Sequence, residues 1–160
     1  MPATLTRTYA HTLASPLGDI TLSSDGEFLT GVHLGDAPKV EAFRDPAPLK
    51  EAVAQLRAYL AGELREFDLP LCQPGTAFQQ KVWAELTAIP YGETICYAEL
   101  AARVGQPAAA RAVGSANGKN HIAVIVPCHR VIAAGGTLGG YGGGLWRKEW
   151  LLRHEGAAGW

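Results

Sequence analysis

The chain has 160 residues, 48% hydrophobic and 18% charged, with a mean hydropathy near zero; this suffices for one good core or two small packed units and excludes a low-complexity polymer. No apolar run approaches the roughly 20 residues that span a bilayer, and the start, Met1-Pro2-Ala3-Thr4-Leu5-Thr6-Arg7, lacks the charged-then-apolar pattern of an export signal, so a cytoplasmic protein is expected. The net charge of -1 hides an asymmetry: residues 1–74 hold six Lys and Arg against ten Asp and Glu, residues 75–160 eight against five, so only the second part offers phosphates an attractive face.

In chain order, Arg7–Leu13, Ile20–Ser23 and Phe28–Leu34 read as short strands. The turns Ser15-Pro16-Leu17-Gly18 and Asp25-Gly26 between them predict an antiparallel meander. Residues 36–48, with Pro38, Pro46 and Pro48, read as a surface loop. Val53, Leu56, Tyr59 and Leu60 recur at helical spacing, and Gly62 is placed to end that helix. Glu63–Pro74 reads as a linker, with a boundary at Pro74-Gly75 that divides the chain into 1–74 and 75–160. Thr76 is an expected N-cap for a helix through about Ile89, with Phe78, Val82, Trp83, Leu86 and Ile89 on one face. After the break at Pro90-Tyr91-Gly92 come two short helices, about Tyr97–Val104 and Pro107–Asn117. The Gly105-Gln106 turn between them makes a helix-turn-helix candidate. The apolar run Ile122–Val126 leads into Pro127-Cys128-His129-Arg130. A glycine-rich loop, Gly135–Gly144, and a last amphipathic helix, about Leu145–His154, complete the chain.

Three widely spaced cysteines, Cys72, Cys96 and Cys128, argue for reduced thiols rather than a disulfide framework. No CxxC pair or histidine cluster points to a metal, and neither metal nor cofactor is expected. Cys128 stands out because it follows a β-branched run and a proline and is flanked by His129 and Arg130. A thiol reacts as its thiolate, which neighbouring cations or proton acceptors favour. A buried structural cysteine is the alternative that local sequence leaves open.

Pro127-Cys128-His129-Arg130-Val131-Ile132 resembles the active-site signature of the O6-alkylguanine-DNA alkyltransferases. The resemblance runs from Gly75 to Glu155, about half the chain. It takes in Phe78-Gln79, Val82-Trp83, Ile89-Pro90-Tyr91-Gly92, Ala110-Arg111-Ala112-Val113-Gly114, Gly139–Gly144 and Leu151-Leu152-Arg153-His154-Glu155. Residues 1–74 match only in their strand-rich pattern. The resemblance implies an α+β fold. Its N-terminal part is a small antiparallel sheet plus helix, ribonuclease-H-like, and its C-terminal part a mostly helical, winged-helix-like DNA-binding domain.

The same resemblance implies roles. Cys128 is the alkyl acceptor, His129 draws off its proton through a water, and Glu155 holds the imidazole. Tyr97 helps rotate the nucleotide out and donates toward guanine N3, and Asn120 ties the recognition helix to the active-site loop. Arg111 fills the gap left by the extruded base, with Ala110, Ala112, Gly114 and Ser115 as the small face that fits the minor groove. Arg130, Val131, Tyr141, Gly142 and Gly143 complete the set facing the base and DNA. The implied partner is double-stranded DNA containing O6-alkylguanine, met by a monomer.

Two other readings stay open at this stage. One is an alkyltransferase-like damage sensor that flips the lesion without transfer, although such relatives lack the acceptor cysteine that stands here at 128. The other is a cysteine hydrolase, for which no oxyanion-hole motif is evident. His121 stands where many members carry proline, and Cys96 where serine is commoner.

Overall fold

The computed structural model describes residues 8–36, 42–43 and 45–160. Arg7 of the first predicted strand and part of the predicted loop 36–48 lie outside these. The chain forms two compact units that divide between Gln73 and Pro74.

In the first unit β1 (Tyr9–Leu13), β2 (Ile20–Ser24) and β3 (Leu29–Leu34) form an antiparallel sheet in that order. Alternation selects the register: Leu13 pairs with Ile20, Leu22 with Val32 and Ile20 with Leu34, all of them buried. Helix α1 (Lys50–Leu60) buries Ala52, Leu56 and Tyr59. Its end is specified by Gly62 at φ +78°. The Gly62 N–H donates to Tyr59 O and the Glu63 N–H to Ala58 O, the paired bonds of a Schellman motif.

The segment read as a linker is fastened to this unit instead. Leu29 N–H donates to Pro70 O and Cys72 N–H to Leu29 O, which lays Leu71 beside Leu29 as a parallel bridge. Gln55 also exchanges two bonds with the Asp68 backbone. Its Pro and charged residues give no strand period, so the sequence pattern hides this pairing.

The second unit, Pro74–Trp160, begins with α2 (Ala77–Thr87). Thr76 and Gln79 cap it reciprocally: the Gln79 N–H donates to Thr76 Oγ1, and the Thr76 N–H to Gln79 Oε1. Strand β4 (Ile95–Cys96) pairs in parallel with β5 (Val131–Ile132). Helix α3 (Tyr97–Arg103) follows β4 directly, then α4 (Ala110–Gly118) and finally α5 (Leu145–His154). Helix α4 starts three residues after Pro107, because the Ala109 N–H first closes a turn onto Gln106 O. Val82, Leu86, Leu100, Val104, Val113, Ile122, Leu151 and Leu152 fill the core. Among the described residues no helix is long and apolar enough to cross a membrane.

Candidate active site

Two tight turns set the position of Cys128. The Ile125 N–H donates to Ala123 O at 2.8 Å, closing a three-residue turn on Val124 at φ +71°. A β-branched residue held there is strained by about 1–3 kcal/mol. Pro127, at φ -82° and ψ 66°, centres a second such turn, closed by the Cys128 N–H on Val126 O at 2.8 Å. A single 3-10 turn, Cys128–Arg130, follows, and all three of its side chains are buried.

The imidazole of His129 and the carboxylate of Glu155 meet in the interior. His129 Nε2 lies 2.8 Å from Glu155 Oε2. Arg130 donates from Nε to Oε1 at 2.8 Å and from Nη2 to Oε2 at 2.9 Å, and its Nη1 donates to Ile89 O at 2.7 Å. Burial alone raises the Glu155 carboxyl, but the bonds from His129 and Arg130 outweigh it and hold that group well below the usual carboxylate range. Burial lowers the His129 pKa, although Glu155 opposes this, so the imidazole favours the neutral form. A carboxylate only accepts, so the ring proton sits on Nε2. That leaves Nδ1, which is buried without a hydrogen-bond partner in the protein, as the basic lone pair.

This network corrects the expectation for Arg130. Its guanidinium does not face DNA; the 3-10 turn points it inward, where Glu155 and the Ile89 carbonyl engage its donors.

Around the thiol, burial raises the Cys128 pKa, against opposing contributions from Asn120, from the charge of Lys148 and from Tyr141. Asn120 Nδ2 donates to Val126 O at 2.8 Å and to Ile122 O at 3.4 Å, and its Oδ1 accepts the Ile122 N–H at 3.1 Å. Asn120 therefore braces its own loop. Asn117 ties helix α4 to the Cys128 backbone: its Nδ2 donates to Cys128 O at 3.4 Å. Asn117 was missed in the sequence, though an asparagine one helical turn after Val113 on the apolar face of α4 is a readable signal. Lys148 was missed too. Its buried ammonium donates to the carbonyls of Val131, Leu138 and Gly140, joining β5 to the glycine-rich loop. Burial lowers its pKa to about 8. Its signal is a lysine three and four residues before Leu151 and Leu152, on the apolar stripe of α5.

Tyr97 is half-buried, between two glycines. A Cβ on Gly114 would stand 3.7 Å from its ring, and one on Gly139, at φ +69°, would stand 3.2 Å from both ring and hydroxyl. Burial, and then the nearby Cys128 charge, raise the Tyr97 hydroxyl above its ordinary value. Val131 is fully buried, Gly143 partly so, and Gly142 exposed, all on the segments that Lys148 and its neighbours hold. On α4, Arg111, Ala112 and Ser115 are exposed, Ala110 and Gly114 partly so, while Val113, Ala116 and Asn117 face the core. The outer face is thus small apart from Arg111.

Comparison with known proteins matches residues 77–157 to the DNA-binding domain of 6-O-methylguanine DNA methyltransferases and residues 8–73 to their ribonuclease-like domain. The methylated-DNA–protein-cysteine methyltransferase of Mycobacterium tuberculosis is 52% identical over 90% of each chain. That of Methanosarcina acetivorans is 49% identical over 89% of this chain and 95% of its own. The crystal structure of the M. tuberculosis OGT in complex with DNA superposes with a TM-score of 0.87 at 52% identity, covering 92% of each chain.

Proposed function

Because the chain belongs to the 6-O-methylguanine DNA methyltransferase family, we propose that it repairs DNA by moving the alkyl group of an O6-alkylguanine onto its own Cys128, once per molecule. The observation that carries this reading is a buried thiol set one residue before an imidazole that is itself oriented by a buried carboxylate. His129 takes the thiol proton. Cys128 Sγ then attacks the carbon bound to O6, the C–O6 bond breaks as the S–C bond forms, and the electron pair passes to the purine. Tyr97 donates toward guanine N3, which makes the purine a better leaving group.

The target atom inside a duplex is out of reach, so the base is extruded at a cost of a few kcal/mol. Helix α4 meets the minor groove, roughly 6 Å wide. Its small residues Ala110, Ala112, Gly114 and Ser115 allow that approach, and Arg111 enters the gap in the stack. Tyr141, Val131, Gly142 and Gly143 line the guanine pocket. All the reacting groups come from one chain and the thiol works reduced, which supports a monomer acting in the cytoplasm.

The test is to mix the protein with a duplex carrying one O6-methylguanine and digest the DNA to nucleosides. Conversion of the lesion to guanine, one per protein molecule, is expected. Tight binding with the lesion intact would favour the damage-sensor reading instead.

A further inference from the structure

Transfer needs the thiolate, yet Cys128 sits where burial opposes that charge. Three side chains, Asn120, Lys148 and Tyr141, offset the opposition, and they differ in the bonds they already make. Lys148 has its ammonium hydrogens engaged with three carbonyls, so it reaches the sulfur through charge alone. Asn120 spends its amide hydrogens first on Val126 O and Ile122 O. Tyr141 differs from both: its hydroxyl oxygen is shut off from solvent and makes no hydrogen bond in the protein. What it faces is the Cys128 sulfur.

A phenol that is buried beside sulfur and lacks another acceptor has one favourable arrangement. It donates its hydrogen to a sulfur that carries charge, because a thiolate accepts strongly, whereas a thiol or a thioether accepts weakly. We propose that the Tyr141 hydroxyl is the hydrogen-bond donor to the Cys128 thiolate, a catalytic role apart from lining the guanine pocket. Burial, and then the nearby Cys128 charge, raise the Tyr141 hydroxyl well above its ordinary value. The charged and titratable groups around the pair are Lys148 on α5, Tyr97 on α3, Glu155 and Arg147, which act on Tyr141, and His129, which takes the thiol proton in the transfer proposed above. The role serves the transfer proposed above, but the bond belongs to the free protein and is measurable without DNA.

Tyr141→Phe keeps the ring and removes the donor. In protein carrying isotope-labelled cysteine, NMR titration of the Cys128 Cβ is expected to move upward by about one pH unit in this variant. Methyl transfer from an O6-methylguanine duplex should fall roughly tenfold at neutral pH and converge with the wild-type rate at high pH, where both thiols are ionised. A packing role would instead lower the rate equally at every pH. An unmoved Cβ titration, or a pH-independent loss, would overturn the proposal. Absence of transfer by the wild-type protein, with the titration shift still present, would count against the transferase reading and leave this bond standing.

Discussion

His129 Nε2 and Glu155 Oε2 stand 2.8 Å apart, 26 residues apart in sequence, with both side chains fully buried. The contact ties the 3-10 turn that carries the thiol to the end of α5, and it decides which imidazole nitrogen keeps a free lone pair. The carboxylate fixes the proton on Nε2 and leaves Nδ1 to accept one. Arg130, forked onto the same carboxylate, supplies the positive charge that makes a buried Glu155 tolerable.

Glu155→Gln leaves the Arg130 guanidinium buried beside a neutral amide. A loss of about 3–5 kcal/mol in unfolding free energy is expected, read from urea denaturation at neutral pH. The wild-type dependence on acid follows from the same contact. The folded Glu155 carboxyl lies below its ordinary value of 4.5, so its contribution is complete above that pH and drains away as the pH falls further. The variant should lack this component of acid destabilisation. Equal slopes of stability against pH in both proteins would contradict the assignment.

Gly139 and Gly140 are neighbours with opposite expectations. A Cβ at Gly139 meets the Tyr97 ring and hydroxyl at 3.2 Å and is strained at φ +69°, whereas a Cβ at Gly140 meets nothing within 4 Å. Gly139→Ala should cost about 1 kcal/mol or more of stability. It should also slow transfer by roughly tenfold or more, because Tyr97 must shift. Gly140→Ala should match the wild type in both assays.

Lys148→Met keeps the aliphatic stem but removes the donor shared by Val131, Leu138 and Gly140. Amide hydrogen exchange across residues 137–141 should quicken, and transfer should fall by roughly tenfold or more. The sign of the pH effect is set by a folded pKa of about 8 against an ordinary 10.5. Between these values the unfolded chain holds the proton and the folded one does not, so wild-type stability relative to the variant should rise with pH across that window. A falling difference would refute the buried-ammonium assignment.

Much of this was legible in the sequence, and the exceptions share a cause. Thr76 announced the start of α2, Gly62 the end of α1, and the turns Ser15-Pro16-Leu17-Gly18 and Asp25-Gly26 the antiparallel meander that the sheet forms. These are local signals, complete within a few residues. The burial of Arg130, Asn117 and Lys148 is not local, because each polar group is paid for by a partner on a distant element: Glu155, the Cys128 carbonyl, and the carbonyls at 131, 138 and 140. Composition reads such residues as exposed, and only the fold supplies their partners. Helix α4 began later than Pro107 suggested because a turn at Gln106–Ala109 intervened, a choice that depends on how α3 and α4 pack.

Arg111 is exposed on a helix face that is otherwise small. Arg111→Ala should slow transfer from duplex DNA by roughly tenfold or more while leaving an O6-methylguanine single strand nearly unaffected, since unstacking costs a few kcal/mol only in the duplex. Equal losses on both substrates would assign Arg111 to phosphate binding instead.

The most direct test of the central claim is the intact mass of the protein after mixing with a duplex carrying one O6-methylguanine, followed by peptide mapping. A gain of one methyl group is expected, located on Cys128 and absent from Cys128→Ser. An unchanged mass beside a bound lesion, or a methyl group on Cys72 or Cys96, would contradict it.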